Sequence, residues 1–108
     1  MQELKNHIHG LYVIKDKVAD DYSPIFQAIN NGVAIRNACV SLINVHDVRD
    51  YELIKVGEVD VRNAQLQLCK PEQITFYEAF DIYLKRHIEN LRITHVDGKE
   101  VKREEPIF

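Results

Sequence analysis

Apolar and polar positions change period several times along the chain, and each change predicts an element. In GLYVIKD, residues 10–16, apolar side chains fall on both parities, Leu11 and Val13 against Tyr12 and Ile14. That pattern predicts a strand central to its sheet. The polar DKVADDY that follows reads as a turn. Pro24 holds Ser23 extended and lacks a ladder donor, so SPIFQAI is predicted as an extended edge segment. Asn30, Asn31 and Gly32 are turn chemistry, with Asn31 suited to capping a helix. Beyond them, VAIRNACVSLIN sets Ile35, Cys39, Leu42 and Ile43 at helical spacing, while Arg36, Asn37 and Ser41 fall elsewhere. VHDVRD closes that helix.

Residues 51–61 again mix parities: Tyr51, Leu53 and Val59 on one, Ile54 and Val56 on the other. A second central strand is the direct reading, and Glu58 and Asp60 then project side by side from one face near its end. Arg62 and Asn63 predict a hairpin turn into a strand where Leu66 and Leu68 alternate with Gln65 and Gln67. Pro71 opens the last third of the chain, where Thr75 and Glu78 have capping-box spacing, with Ile74 and Ala79 placed as a weak hydrophobic staple. Phe76, Tyr77, Phe80, Tyr83, Leu84, Ile88 and Leu91 make a wide apolar arc for a terminal helix. Such a helix must lie across its own sheet or pack on a partner. The expectation is a homodimer or partner surface built on Phe76, Tyr77, Phe80, Tyr83, Leu84 and Ile88. In the tail THVDGKEVKREEPIF, Asp97 and Gly98 can turn a small hairpin, with Ile93 and His95 before it and Val101 after, disorder being the alternative. The predicted fold is α+β: a small, mostly antiparallel sheet in the order β-β-α-β-β with a long C-terminal helix and the helices on one side. Residues 1–92 form its single domain and 93–108 the charged tail.

Composition narrows the class. At 108 residues, 45% hydrophobic and 29% charged, the chain has the balance of one soluble globular domain. No apolar run is long enough to cross a bilayer and MQELKNHIHG lacks a secretory layout, so the expected setting is cytoplasmic, without membrane contact. Cys39 and Cys69 show no CxxC spacing and read as reduced, buried small hydrophobes. A formal charge of −3 excludes coating a polyanion by bulk electrostatics. Nucleic-acid binding then needs a local patch, or several subunits that pool one.

The candidate chemistry is sparse. His7 and His9 form an HxH pair without a third ligand at a set spacing, and His46 and His87 suit the ends of helices. Glu58 and Asp60 could bracket a divalent cation, as nuclease carboxylates do, but no motif ties a lysine or further acid to them. Ser-His-Asp order, P-loop, HExxH and Gly-rich phosphate loops are missing from the sequence. The prediction is a protein without catalysis, cofactor or metal. For nucleic acid the first usable cations are Lys15, Lys17, Arg36, Arg49, Lys55 and Arg62, with Lys70, Lys85, Arg86 and Arg92 as further pieces and Tyr12, Tyr22, Phe26 and Tyr51 available for stacking where exposed.

In succession, LYVIKDK, YSPIF, GVAIRNA and DYELIKVGEVD resemble the small nonstructural proteins of gokushovirus-type microviruses, single-stranded DNA phages of intracellular and enteric bacteria. The matching positions are Tyr12, Asp16, Pro24, Phe26, Ala34, Arg36, Asp50, Tyr51, Leu53, Gly57 and Asp60, and the resemblance covers residues 10–61. The chain departs in VHDV, which is shorter than the family's loop and lacks its proline, and in a missing glycine after the GEVD segment. The resemblance implies a nonstructural protein of the host cytoplasm. It would bind DNA, single-stranded DNA first, and act in genome replication at the change from copying duplex to producing single strands for packaging. Host or phage replication proteins are its implied partners. It also makes Arg36 the first expected phosphate contact, with pairing to Asp16 or Asp60 as the alternative. Glu58 and Asp60 then orient a basic residue or cap a turn. Two other readings stand beside this one: a non-catalytic interaction module using the aromatic helix, and, least favoured, a metal-dependent nuclease.

Overall fold

The computed structural model describes residues 7–96 of the chain. Its centre is β1 (Ile8–Asp16), which pairs antiparallel along its whole length with β4 (Tyr51–Asp60). On its other side β1 pairs with two short pieces, β2 (Asp21–Tyr22) and β3 (Phe26–Ala28). This edge lane is broken at residues 23–25, where Pro24 brings no N–H: the expected extended segment is strand only over Phe26–Ala28, while Asp21 and Tyr22, expected in a turn, pair with β1. Ser23 bridges the break: its N–H donates to the Ile14 carbonyl at 2.8 Å, and its Oγ accepts the Ile14 N–H at 2.9 Å.

The far edge is β5 (Gln65–Ile74), joined to β4 by the expected hairpin. The strand that the sequence predicted to stop before Pro71 runs through it. Lys55 pairs with Glu72 and Gly57 with Leu68, so Cys69, Lys70 and Pro71 swell out opposite Val56. Proline is tolerated because its missing donor falls where the ladder is already interrupted, on an edge strand. The two cysteines differ accordingly. Cys39 is buried, but Cys69, predicted buried as well, is exposed in this bulge.

A second irregularity explains the mixed parity of β4. Leu11 pairs with Gly57 and Tyr12 with Lys55, which leaves Val56 as an extra residue. Directly opposite residues share a face, so Tyr51, Leu53 and Lys55 face the same side as Tyr12 and Ile14. After the bulge that side passes to Glu58 and Asp60, and Val59 turns to the other. The apolar run is two-faced in part because its phase changes midway.

The helices cover one face. In α1 (Asn31–Ser41), Ala34 and Ala38 are fully buried, and with Cys39 they pack on Tyr12, Leu53 and Ile74. Burying an aliphatic side chain such as Leu53 completely contributes about 1.5–3 kcal/mol. The helix is capped one residue earlier than expected, Asn30 accepting the Val33 N–H at 2.9 Å. Asn31 is otherwise occupied: its Oδ1 accepts the Tyr12 hydroxyl at 2.6 Å. A 3-10 turn over Val48–Asp50, capped by Asp47, leads into β4, and the Asp50 carbonyl accepts the Lys17 N–H at 2.8 Å.

The last helix, α2 (Tyr77–Val96), starts beyond Thr75, its first turn closed by the Phe80 N–H donating to the Phe76 carbonyl at 2.9 Å. The capping-box reading therefore misplaced the start. The helix also passes the expected boundary at residue 92, so Ile93 and His95 are helical and not the arm of a hairpin. The Asp97 and Gly98 turn and the rest of the tail lie outside the described residues. Phe76 and Phe80 are 2% and 4% exposed in the chain's own core, and Tyr77 donates its hydroxyl to the Tyr51 carbonyl at 2.6 Å. These three are consumed within the subunit. Of the predicted partner surface, Tyr83 and Leu84 are half-buried against that core and Ile88 is exposed.

Candidate nucleic-acid interface

The six expected cations do not share a ridge. Two are neutralised where they stand. Lys55 meets Glu58 at 3.0 Å, a contact the Val56 bulge makes possible by bringing both to one face, and this hydrogen bond holds the ammonium pKa above its usual value. Arg62 reaches the Asp60 carboxylate through Nε at 3.3 Å and a terminal nitrogen at 3.2 Å, while its N–H donates to the same acid at 3.0 Å. The arginine's hydrogen bonds hold the Asp60 carboxyl below its ordinary range. Glu58 and Asp60 thus orient basic residues and close a turn. Among the described residues no group of three or more His, Cys, Asp and Glu gathers as metal ligands would.

Three more cations collect at one end of the sheet. Lys15 lies on β1 with its Nζ 5.5 Å from the centre of the Tyr22 ring and 3.7 Å from Asp20. Asp20 is 85% exposed, so solvent screening leaves that pair little strength. Lys17 is joined through its backbone to Asp50, and next to Asp50 stands Arg49, its guanidinium 5.9 Å from the Tyr77 ring centre. Lys17 and Arg49 form no ion pair among the described residues.

This end borders a cleft of about 550 Å³ between the broken edge lane and the outer side of α1. Ile14, Phe26, Leu42 and Tyr51 give it an apolar wall. Asn37 and Ser41 line it from α1, and Asp16, Asp21 and Tyr22 from the strands. The break at Pro24 borders it, residues 24 and 25 being unpaired with β1 while Ser23 is still bonded to Ile14.

Arg36, the remaining cation, points elsewhere. With Arg86 of α2 it lines a shallower groove of about 190 Å³ between the two helices, floored by Ile35, Cys39 and Tyr83. Neither expected partner holds it: Asp16 accepts the Val18 and Ala19 N–H groups, and Asp60 holds Arg62. Among the described residues Arg36 has no ion pair. Consecutive residues therefore serve two sites, Arg36 one groove and Asn37 the other.

Asn37 and Ser41 were not singled out from sequence as site residues, although they carried a signal, being polar positions one turn apart on a short helix. Arg86 stood among the wider set of usable cations, but its place beside Arg36 became visible only once α1 and α2 were side by side. His9 is engaged in the sheet, its Nδ1 2.7 Å from the Gln27 amide nitrogen. Tyr12, offered for stacking, is 1% exposed and unavailable, and burial pushes its hydroxyl pKa up. No helix of the described residues is long and apolar enough to cross a membrane.

A family model described as Phage ORF5 protein matches residues 9–82, well over half of the 108. That span runs past the segments compared above, through the β4–β5 hairpin and into the first turns of α2. No curated protein and no solved structure matches.

Proposed function

Because the chain belongs to the Phage ORF5 protein family, we propose that it is a nonstructural phage protein of the microvirus type that binds single-stranded DNA during genome replication, in the host cytoplasm. The observation that carries this reading is the pair Arg36 and Arg86 in one groove, with no acid paired to either among the described residues. A guanidinium fork suits a phosphate oxygen pair better than an ammonium does. Lys17 and Arg49 supply further contacts on the other side of α1. A net charge of −3 keeps such binding weak and local in one subunit. Pairing of two subunits doubles the available contacts, and the reading includes a homodimer formed through α2. It assigns no catalytic step to the chain.

The test is fluorescence anisotropy of a labelled single-stranded oligonucleotide titrated with protein at several salt concentrations. The expected result is an affinity that falls linearly with log salt. No binding at low ionic strength removes the proposal.

A second reading, a protein-interaction module without DNA, is favoured by one observation. On α2, Ile88 is 44% exposed, one turn beyond Leu84, which packs on the core. Replacing Ile88 with Asp and measuring sedimentation with and without oligonucleotide separates the two. Loss of self-association with DNA affinity per subunit unchanged favours the interaction role for α2.

A further inference from the structure

The cleft between α1 and the broken edge lane has the makings of a site for a planar polar ring. Its volume of about 550 Å³ falls in the range that encloses small organic ligands. Phe26 and Tyr51 put two aromatic side chains into its wall, and aromatic faces are what unstacked bases rest on. Its polar groups are chiefly acceptors. Asp16 spends Oδ1 on the Val18 and Ala19 N–H groups, and Asp21 spends Oδ1 on the Tyr22 N–H. Each keeps its second carboxylate oxygen without a protein donor among the described residues, and the Asn37 side-chain amide likewise has no partner there.

Two carboxylates decide what enters. A phosphate is repelled by them, so the cleft is no anion site although cations stand at its edge. A ring with N–H donors on its rim is attracted. We infer that the cleft receives one unstacked base of the bound strand, a base carrying an exocyclic amine on its pairing edge, while the flanking phosphates lie on Lys15, Lys17 and Arg49. Cytosine, adenine and guanine each present such an amine. Thymine keeps its ring N–H but carries carbonyl oxygens at the exocyclic positions, so its contact is weaker. The inference rests on the DNA-binding reading above and names what that reading leaves open, the part of the strand that is recognised.

The experiment compares three labelled oligomers of equal length at one salt concentration: oligodeoxycytidylate, oligodeoxythymidylate and an abasic deoxyribose-phosphate chain. They are titrated with the wild-type protein and with Asn37→Leu and Ser41→Trp. Ser41 is exposed at the end of α1, so the indole fills the cleft without entering the core, and circular dichroism checks both variants. The expected result is deoxycytidylate bound about tenfold or more tighter than the abasic chain, the scale of one base stacked on an aromatic surface, with deoxythymidylate between them. Both variants lower deoxycytidylate to the abasic level and leave abasic binding unchanged. Equal binding of all three oligomers overturns the base site and leaves DNA binding standing. No binding of any oligomer overturns both. Free dCMP that competes as well, mole for mole, as the strand overturns the in-strand form of the proposal.

Discussion

The ring of Tyr12 lies over Gly10: a Cβ built on that glycine comes 2.5 Å from the phenol oxygen and 2.7 Å from two ring carbons. The side chain leans back along its own strand and ends in its hydrogen bond to Asn31 at the start of α1. Strand, glycine and helix start are therefore one joint. Gly10→Ala drives a methyl group into a ring that is 1% exposed and has no room to retreat. The expected cost is about 1–3 kcal/mol, the usual penalty for overpacking, read as a lower urea midpoint.

Ala64 closes the β4–β5 hairpin at φ 61°, in the left-handed region, and its N–H donates to the Asp60 carbonyl at 2.7 Å. A side chain there costs about 1–2 kcal/mol that glycine avoids. Ala64→Gly raises the unfolding midpoint by the equivalent of about 1 kcal/mol, part of the gain being returned as extra freedom in the unfolded chain.

Asp60 gives the acid side of the stability profile a defined component. Arg62 holds its carboxyl below the ordinary range, so the folded chain keeps it charged to lower pH than the unfolded chain does. That stability is complete above the unfolded value and is lost as pH falls through the folded one. Asp60→Asn retains an oxygen for the Arg62 N–H but has nothing to titrate. The stability difference between the two proteins narrows on acidification from neutrality to about pH 2, followed by urea unfolding across pH.

Cation contributions to DNA affinity divide along the ion pairs. Arg36→Ala and Arg86→Ala each reduce the slope of log affinity against log salt by about 0.7, one single-strand phosphate contact. Arg62→Ala leaves the slope unchanged, since its guanidinium is bonded to Asp60. Equal slopes for all three variants contradict this division.

The two thiols separate by reagent access. A maleimide or Ellman's reagent modifies one equivalent rapidly in the native protein, at exposed Cys69, and a second only on unfolding, at Cys39. Burial also raises the Cys39 pKa, which lowers its thiolate fraction. Peptide mapping after brief labelling identifies the first site.

Much of the architecture was legible because hydrophobic period reports which face of an element is dry. The central β1, the short helix, the hairpin and the terminal helix all follow from local pattern, whereas the edge lane proved to be broken at residues 23–25 and to begin at Asp21, inside the stretch expected to turn. The bulge at Val56 does not, because an extra residue leaves no mark on composition and shows only when the partner strand is aligned. The aromatic arc misled for a related reason. Counted alone, Phe76 and Phe80 exceed what a small sheet can hide, but Ala34 and Ala38 keep α1 thin and leave space for them. Candidate cations could be named from sequence, whereas their neutralisation by Glu58 and Asp60 depended on register and turn geometry.

The supernumerary Val56 also makes β4 tolerant of one particular loss. Deleting Val56 alone leaves Lys55 opposite Tyr12 and Gly57 opposite Leu11, so Glu58 stays on the side of Lys55, and the turn that joins Asp60 to Arg62 moves as a unit. An in-frame codon loss at this position would straighten the strand and spare both ion pairs.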